Sequence, residues 1–218
     1  MSAAHTHRGF SLIELMIGIT VGMFILLGAS SIMVGQMGDH RRLALETRTE
    51  QDVRVVAEVL TRELQLAGMW NSPMSGVWSE ANPVLQANPN AEILVAEDGS
   101  WVRYRRWLRN DINQAEGFKL EDEVLYRLNS AGAWQPLTDP ETLKITRFHV
   151  QLVETKRRLE AACQLDCEDK EDCPPSASVR EFLINFQAHA AHDERVRRNF
   201  DLRIRVRSDI VTGACREA

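Results

Sequence analysis

A single carboxylate lies inside a long apolar run: between Phe10 and Gly38 the only charged residue is Glu14. About 20 apolar residues span a bilayer, and a carboxylate near the centre of such a span costs on the order of 2.5 to 3.5 kcal/mol. The charge therefore needs a partner. On a helix, residues four apart share a face, which sets Glu14 beside Phe10. The stretch Arg8-Gly9-Phe10-Ser11-Leu12-Ile13-Glu14 thus places a Gly-Phe junction one turn before the acid. Cleavage between Gly9 and Phe10 would free an amine within reach of that carboxylate, on the same chain or on a neighbour. The uncut chain has no amine there. Glu14 then reads as a charge that is satisfied only after processing, which is an assembly device.

A secretory signal peptide also has a basic start and an apolar core, and Gly28-Ala29-Ser30-Ser31 would supply small residues for its cleavage. This core is too long and contains an acid. A plain single-pass anchor leaves the glutamate without a reason.

The element that must position Glu14 continues past the apolar run. Val53, Val56, Leu60, Leu64 and Ala67 recur at intervals of three and four, the apolar stripe of a helix. Opposite them Glu46, Glu50, Arg54, Glu58 and Arg62 recur every four residues, acid before base in Glu50–Arg54 and Glu58–Arg62. Gly68 and then Asn71-Ser72-Pro73 mark the stop. A helix from Phe10 to Ala67 would be roughly 90 Å long, its first half suited to lipid and its second to packing on a soluble head. Gly18 and Gly22 form a small-xxx-small pair that would admit another helix closely, or simply mark a helix rich in small residues.

On these residues the chain resembles a known family. Gly9-Phe10-Ser11-Leu12-Ile13-Glu14-Leu15-Met16-Ile17 is similar to the prepilin cleavage and methylation motif of type IV pilins and type II secretion pseudopilins. The resemblance implies that a membrane prepilin peptidase removes residues 1–9 and methylates the Phe10 amine. It also implies that Glu14 recruits or neutralises neighbours in a filament. Many major pilins carry a proline partway along this helix; here none precedes Pro73, which points away from the principal filament subunit.

The 218 residues suffice for one helical stalk and one domain. Formal charge is −5, and loss of residues 1–9 removes only Arg8 among the counted charges; nothing in this balance suggests bulk nucleic-acid affinity. All four cysteines, Cys163, Cys167, Cys173 and Cys215, fall in the last third, and three pairings are open to them. Outside an inner membrane disulfides are the default. One local bridge, and one from Cys215 back to the loop, is the favoured pattern. Asp166, Glu168, Asp169, Glu171 and Asp172 crowd the same loop and could offer oxygen ligands to calcium, but the EF-hand spacing and its central glycine are missing. The cysteine spacing does not suit zinc, so no metal and no cofactor is expected.

From Ala91 onward, short alternating runs with turn signals predict antiparallel strands over Ile93 to Ala96, Trp101 to Leu108, Glu123 to Leu128, Trp134 to Leu137 and Ile145 to Val153. Two more follow, in which Phe182, Ile184, Phe186 and Ala188, and then Phe200, Leu202, Ile204 and Val206, alternate with polar residues. Residues 190–195 would join them as a hairpin loop. The amphipathic half of the helix is the lid for this apolar face, and residues 69–90 are an irregular connection. The expected class is α+β, pilin-like, with a leader over 1–9, a transmembrane half-helix over 10–38, an amphipathic half-helix over 39–68 and a β-rich head with a disulfide loop over 69–218.

The head also resembles PilW-type minor pilins, through Arg62-Glu63-Leu64-Gln65-Leu66-Ala67-Gly68, Leu125-Tyr126-Arg127 followed by Trp134-Gln135-Pro136-Leu137, and Arg197-Arg198-Asn199-Phe200 with Leu202 to Arg207. The minor pseudopilin lettered J in type II secretion shares a similar Leu-Tyr-Arg then Pro-Leu pattern and is the alternative. The pilin resemblance implies incorporation at a pilus tip and priming of assembly. Its partners would be the prepilin peptidase, other minor pilins, the major pilin and inner-membrane lipid, with a tip adhesin as a further candidate. It also implies a single inner-membrane span with a periplasmic head, then a place on the cell surface.

No catalytic constellation emerges. His5 and His7 lie in the leader, and His40, His149, His189 and His192 are scattered, the last two flanking a hairpin loop as solvated turn residues; no enzyme is expected. A nucleic-acid face could use the basic run Arg103, Arg105, Arg106 and Arg109 with Trp101 and Trp107, or the run Arg195, Arg197, Arg198, Arg203, Arg205 and Arg207. Alternation of Arg203, Arg205 and Arg207 with core residues favours the wet face of a strand instead, and nucleic acid is not an expected partner.

Overall fold

The computed structural model describes residues 11–79, 84–108, 112–165, 167 and 172–215, without the side chains at 34, 35, 108, 112 and 113. Helix α1, Leu12–Leu64, has 53 residues. The chain divides into two compact units at Thr47 and Arg48, and α1 contributes to both.

In the first unit α1 is exposed at nearly every described position, including Leu12, Ile13, Met16, Phe24 and Leu26. By length and composition it is the one helix among the described residues apolar enough to cross a membrane. Two of its hydroxyls turn back on the backbone: Thr20 Oγ1 donates to the Met16 and Ile17 carbonyls and Ser31 Oγ to that of Gly28, so neither of these adds an unmet polar group. A Cβ built on Gly18 or Gly22 would meet nothing within 4 Å, which leaves both glycines open.

The second unit is two antiparallel sheets and the last third of α1, from Arg48 on. The first sheet has strands β1 (Ile93–Val95), β2 (Trp101–Leu108), β3 (Ile112–Glu121), β4 (Val124–Leu128) and β5 (Trp134–Pro136), in that order. The second runs β6 (Leu143–Arg158), β7 (Ser176–Ala190), β8 (Asp193–Arg205), with β9 (Ile210–Thr212) paired to the start of β7. Val53, Val56, Leu60 and Leu64 of α1 form one buried cluster with Val102, Phe118 and Leu125 of the first sheet and Phe148, Phe182, Phe186 and Ile204 of the second. The α+β pilin-like architecture follows from that lid. The two sheets meet through backbone bonds from the Ile145 N–H to the Glu123 carbonyl and from the Val150 N–H to the Gly99 carbonyl.

Helix α1 ends at Leu64, a turn earlier than its apolar stripe suggests. The N–H groups of Leu66, Ala67 and Met69 bond three residues back, tightening the exit. Gly68 takes a left-handed φ of +74°, a conformation glycine adopts without a Cβ penalty, and its N–H leaves the helix for the Arg105 carbonyl of β2.

Two features depart from the sequence reading, which lacks both β3 and β9. Strand β3 escapes alternation because its inward position Glu116 is charged and its centre is Gly117. The loop between β7 and β8 shrinks to Ala191 and His192, and a register shift at His189/Ala190 buries His189, whose Nδ1 lies 2.9 Å from the Ala190 carbonyl oxygen. That histidine is not a solvated turn residue.

Candidate functional site

The start of α1 is held by Ser11. Its Oγ accepts from the Ile13 N–H at 3.3 Å, and its carbonyl accepts from the N–H groups of Glu14 and Leu15 at 3.0 and 3.1 Å. Serine at this position satisfies donors that have no partner inside the helix. Glu14 follows in the first turn, exposed, with no ion pair among the described residues. Gly9 and Phe10, the expected cleavage and methylation positions, lie outside the described residues, as do Arg8, His5 and His7.

The second half of α1 is fixed to the head by charge as well as by apolar contact. Glu63 sits next to Leu64 on the buried stripe. Arg106 Nη2 lies 2.9 Å from Glu63 Oε2 and 2.7 Å from Glu116 Oε1. Arg127 Nη2 lies 3.1 Å from Glu63 and 3.5 Å from Glu116, and the Tyr104 hydroxyl donates to Glu116 at 3.3 Å. The side chains of Glu63, Arg106 and Glu116 are only 6%, 9% and 3% exposed. Inside the head, two carboxylates meet the two guanidinium groups of Arg106 and Arg127 without net charge, the condition for burying ions without a large penalty, while the exposed Arg62 adds a third guanidinium 3.3 Å from Glu63 at the rim. Burial works against the Arg106 charge, but Glu116, and behind it Glu63, raise its pKa above the ordinary arginine value. Burial first, and then the Glu116 charge, push the Tyr104 hydroxyl up, keeping it a neutral donor. The sequence signal was available in Glu63 itself, an acid three residues after Leu60 on the apolar face.

At the helix exit, Arg180 points inward from β7 and donates to the carbonyls of Ala91 and Ser208. Burial lowers its pKa, with Glu154 and Asp209 opposing. A Cβ at Gly68 would lie 2.8 Å from Arg180 Nη2, so the glycine also makes room for this clamp.

The arginines of β8 are largely neutralised. Arg198 reaches Glu50 of α1 at 2.9 Å, Arg203 lies 3.5 Å from Glu181, Arg205 2.8 Å from Asp209 and Arg195 3.0 Å from Asp193. Among the described residues the histidines make separate contacts: His149 Nδ1 lies 3.0 Å from the Asp98 carbonyl oxygen and His189 Nδ1 2.9 Å from that of Ala190. Cys163 is bonded to Cys215 and Cys167 to Cys173, one long bridge and one short. The sulfurs of Cys163, Cys167 and Cys173 lie within 4.8 Å of one another, and none of the four cysteines is free. Of the loop acids, Asp172 is described; Asp166, Glu168, Asp169 and Glu171 lie outside the described residues, as does Arg109.

Two families match this sequence. The prokaryotic N-terminal methylation motif covers residues 5–30, and prepilin peptidase-dependent protein B covers residues 42–206. Neither a curated protein nor a solved structure matches the chain.

Proposed function

The chain belongs to the prepilin peptidase-dependent protein B family, a type IV pilin-like protein with the methylation motif at its start, and from that premise we propose that it is a minor pilin of PilW type that primes assembly at a pilus tip. The peptidase cuts between Gly9 and Phe10 and methylates the Phe10 amine. Glu14 then meets the new terminus of a neighbouring subunit, an ion pair that in lipid removes the cost of a solitary carboxylate. Before assembly the apolar half of α1 spans the inner membrane once, with the head in the periplasm; afterwards the head works at the filament end among other minor pilins and the major pilin. Its role is structural rather than catalytic.

One observation carries this reading. Under a prepilin motif, a 53-residue helix begins with an exposed run of apolar side chains whose acid, Glu14, has no ion pair among the described residues. Replacing Glu14 by Ala is expected to leave membrane insertion intact and remove the protein from sheared pili. Mass spectrometry of the assembled protein is expected to find a methylated Phe10 terminus. Retention of the first nine residues, or normal incorporation of the Ala variant, would refute the reading.

A further inference from the structure

The outer face of the first sheet differs from the rest of the head. Val102, Tyr104 and Arg106 of β2 are buried, so the alternate residues Trp101, Arg103, Arg105 and Trp107 lie on the opposite face. Cross-strand register sets Trp101 beside Lys119 and Lys119 beside Tyr126, and runs from Arg103 across Gly117 and Leu128 to Trp134. The Lys119 ammonium lies 5.4 Å from the Tyr126 ring centroid and 5.0 Å from that of Trp134, which places Trp134 on the same side. Three of the chain's five tryptophans and one of its two tyrosines thus share one sheet face, and all four are half-buried rather than enclosed.

Two cations on this face are uncommitted. Arg103 and Arg105 are exposed and, among the described residues, have neither an ion pair nor a side-chain hydrogen bond, unlike the arginines of β8. Between them a depression of about 110 Å3 opens over Ala115, with Leu94 on its wall and Glu92 at its rim. Gly117 holds Arg103 in place: a Cβ there would lie 3.2 Å from Arg103 Cγ and 2.4 Å from the Val102 carbonyl oxygen, so the arginine stem lies across the bare glycine. Tryptophan, tyrosine and arginine are the residues that carry most of the energy in protein interfaces, and a paired guanidinium is a geometric match for a carboxylate.

We propose that this face is a docking surface for the head of a different filament subunit, one that presents carboxylates to Arg103 and Arg105. The inference rests on the reading of the chain as a pilus subunit and names the surface and partner chemistry that reading requires. Charge complementarity chooses the occupant: the unpaired guanidinium pair accepts an acid, while Trp101 and Trp107 flank it along the same strand, successive outward residues being about 6.7 Å apart.

The test uses the full chain in cells that make it, comparing the wild type, Glu14→Ala, the double reversal Arg103→Glu/Arg105→Glu and the milder Arg103→Gln/Arg105→Gln. The expected result for the reversal is an unchanged amount of processed protein in the membrane with at least a tenfold loss from sheared filaments. Selection for restored incorporation should then yield Asp or Glu to Lys or Arg changes in the head of another subunit. Where the reversal lowers the membrane amount, the Gln pair is read instead and is expected to reduce incorporation at an unchanged amount. Normal incorporation of the Gln pair, or suppressors confined to this chain, would overturn the proposal. So would normal incorporation of the reversal together with loss of binding to single-stranded oligothymidylate, which would assign the face to nucleic acid. If wild type itself is absent from filaments the subunit reading falls and this inference with it. If Glu14→Ala is lost but the reversal is retained, the docking surface alone fails.

Discussion

Removing the charge of Glu63 tests whether ions, as well as apolar contacts, lock α1 to the head. In Glu63→Gln the shape survives, but Arg106 and Arg127 then share Glu116 alone, at 2.7 and 3.5 Å. Breaking a buried pair costs about 3 to 5 kcal/mol when it strands a charge. Here Arg106 keeps one carboxylate, and Arg127, with its side chain 32% exposed, can turn to water, so the expected loss is about 2 to 3 kcal/mol. That corresponds to roughly a 30- to 150-fold fall in the folding equilibrium. The assay is urea unfolding of the processed full chain in detergent, followed by tryptophan fluorescence, because Trp101, Trp107 and Trp134 all lie in or beside the first sheet. A double-mutant cycle with Arg127→Gln should give a coupling of at least about 1 kcal/mol, since the two groups share one contact. A loss below about 0.5 kcal/mol for Glu63→Gln, or strict additivity with Arg127→Gln, would show that this cluster adds little to what burial of Val53, Val56, Leu60 and Leu64 already supplies.

The two disulfides should contribute unequally. Cys163–Cys215 closes a loop with a sequence separation of 52 and Cys167–Cys173 one of 6, so chain entropy assigns about 4 kcal/mol to the first and about 2 kcal/mol to the second; serine pairs at each bridge, compared by thermal unfolding under non-reducing conditions, should preserve that order. The Asp98 carboxyl is held below the ordinary aspartate value of 3.8 by the Ser100 hydroxyl and then by the Ser100 N–H. A depressed carboxylate favours the folded form above its unfolded pKa and loses that contribution as pH falls through the folded value. NMR titration should therefore place Asp98 below 3.8, and Ser100→Ala should move it upward; a midpoint that ignores the serine would remove the hydrogen bond from the account.

The parts of this fold that were legible in the sequence are those where one face is apolar throughout. Val53, Val56, Leu60 and Leu64 predicted the packed stripe of α1, and Phe182, Ile184 and Phe186 predicted β7, because burial repeats with the period of the element. Strand β3 was not: Glu116 occupies a core position in it, and the acid is tolerated there only because Arg106 and Arg127 arrive from two other strands. Such a compensation is long-range and leaves no periodic trace. The distinction between the two arginine runs was equally hidden. Arg203 and Arg205 find Glu181 and Asp209 through cross-strand pairing and a turn, whereas Arg103 and Arg105 lie opposite Gly117 and Ala115 of β3 and form no ion pair among the described residues, and that difference depends on register.

The exit of α1 is bonded within a few residues both to β2 of the first sheet and to the connection between β8 and β9 of the second. The Gly68 N–H bonds Arg105 and the Met69 carbonyl accepts from Trp107 on one side, while the Gln65 carbonyl accepts from the Arg207 N–H and Ser208 Oγ donates to Gly68 on the other. The helix exit is therefore bonded to the head on two sides together. A load carried along α1 would meet both sets of bonds at once, so loss of one set would leave the other still holding the exit.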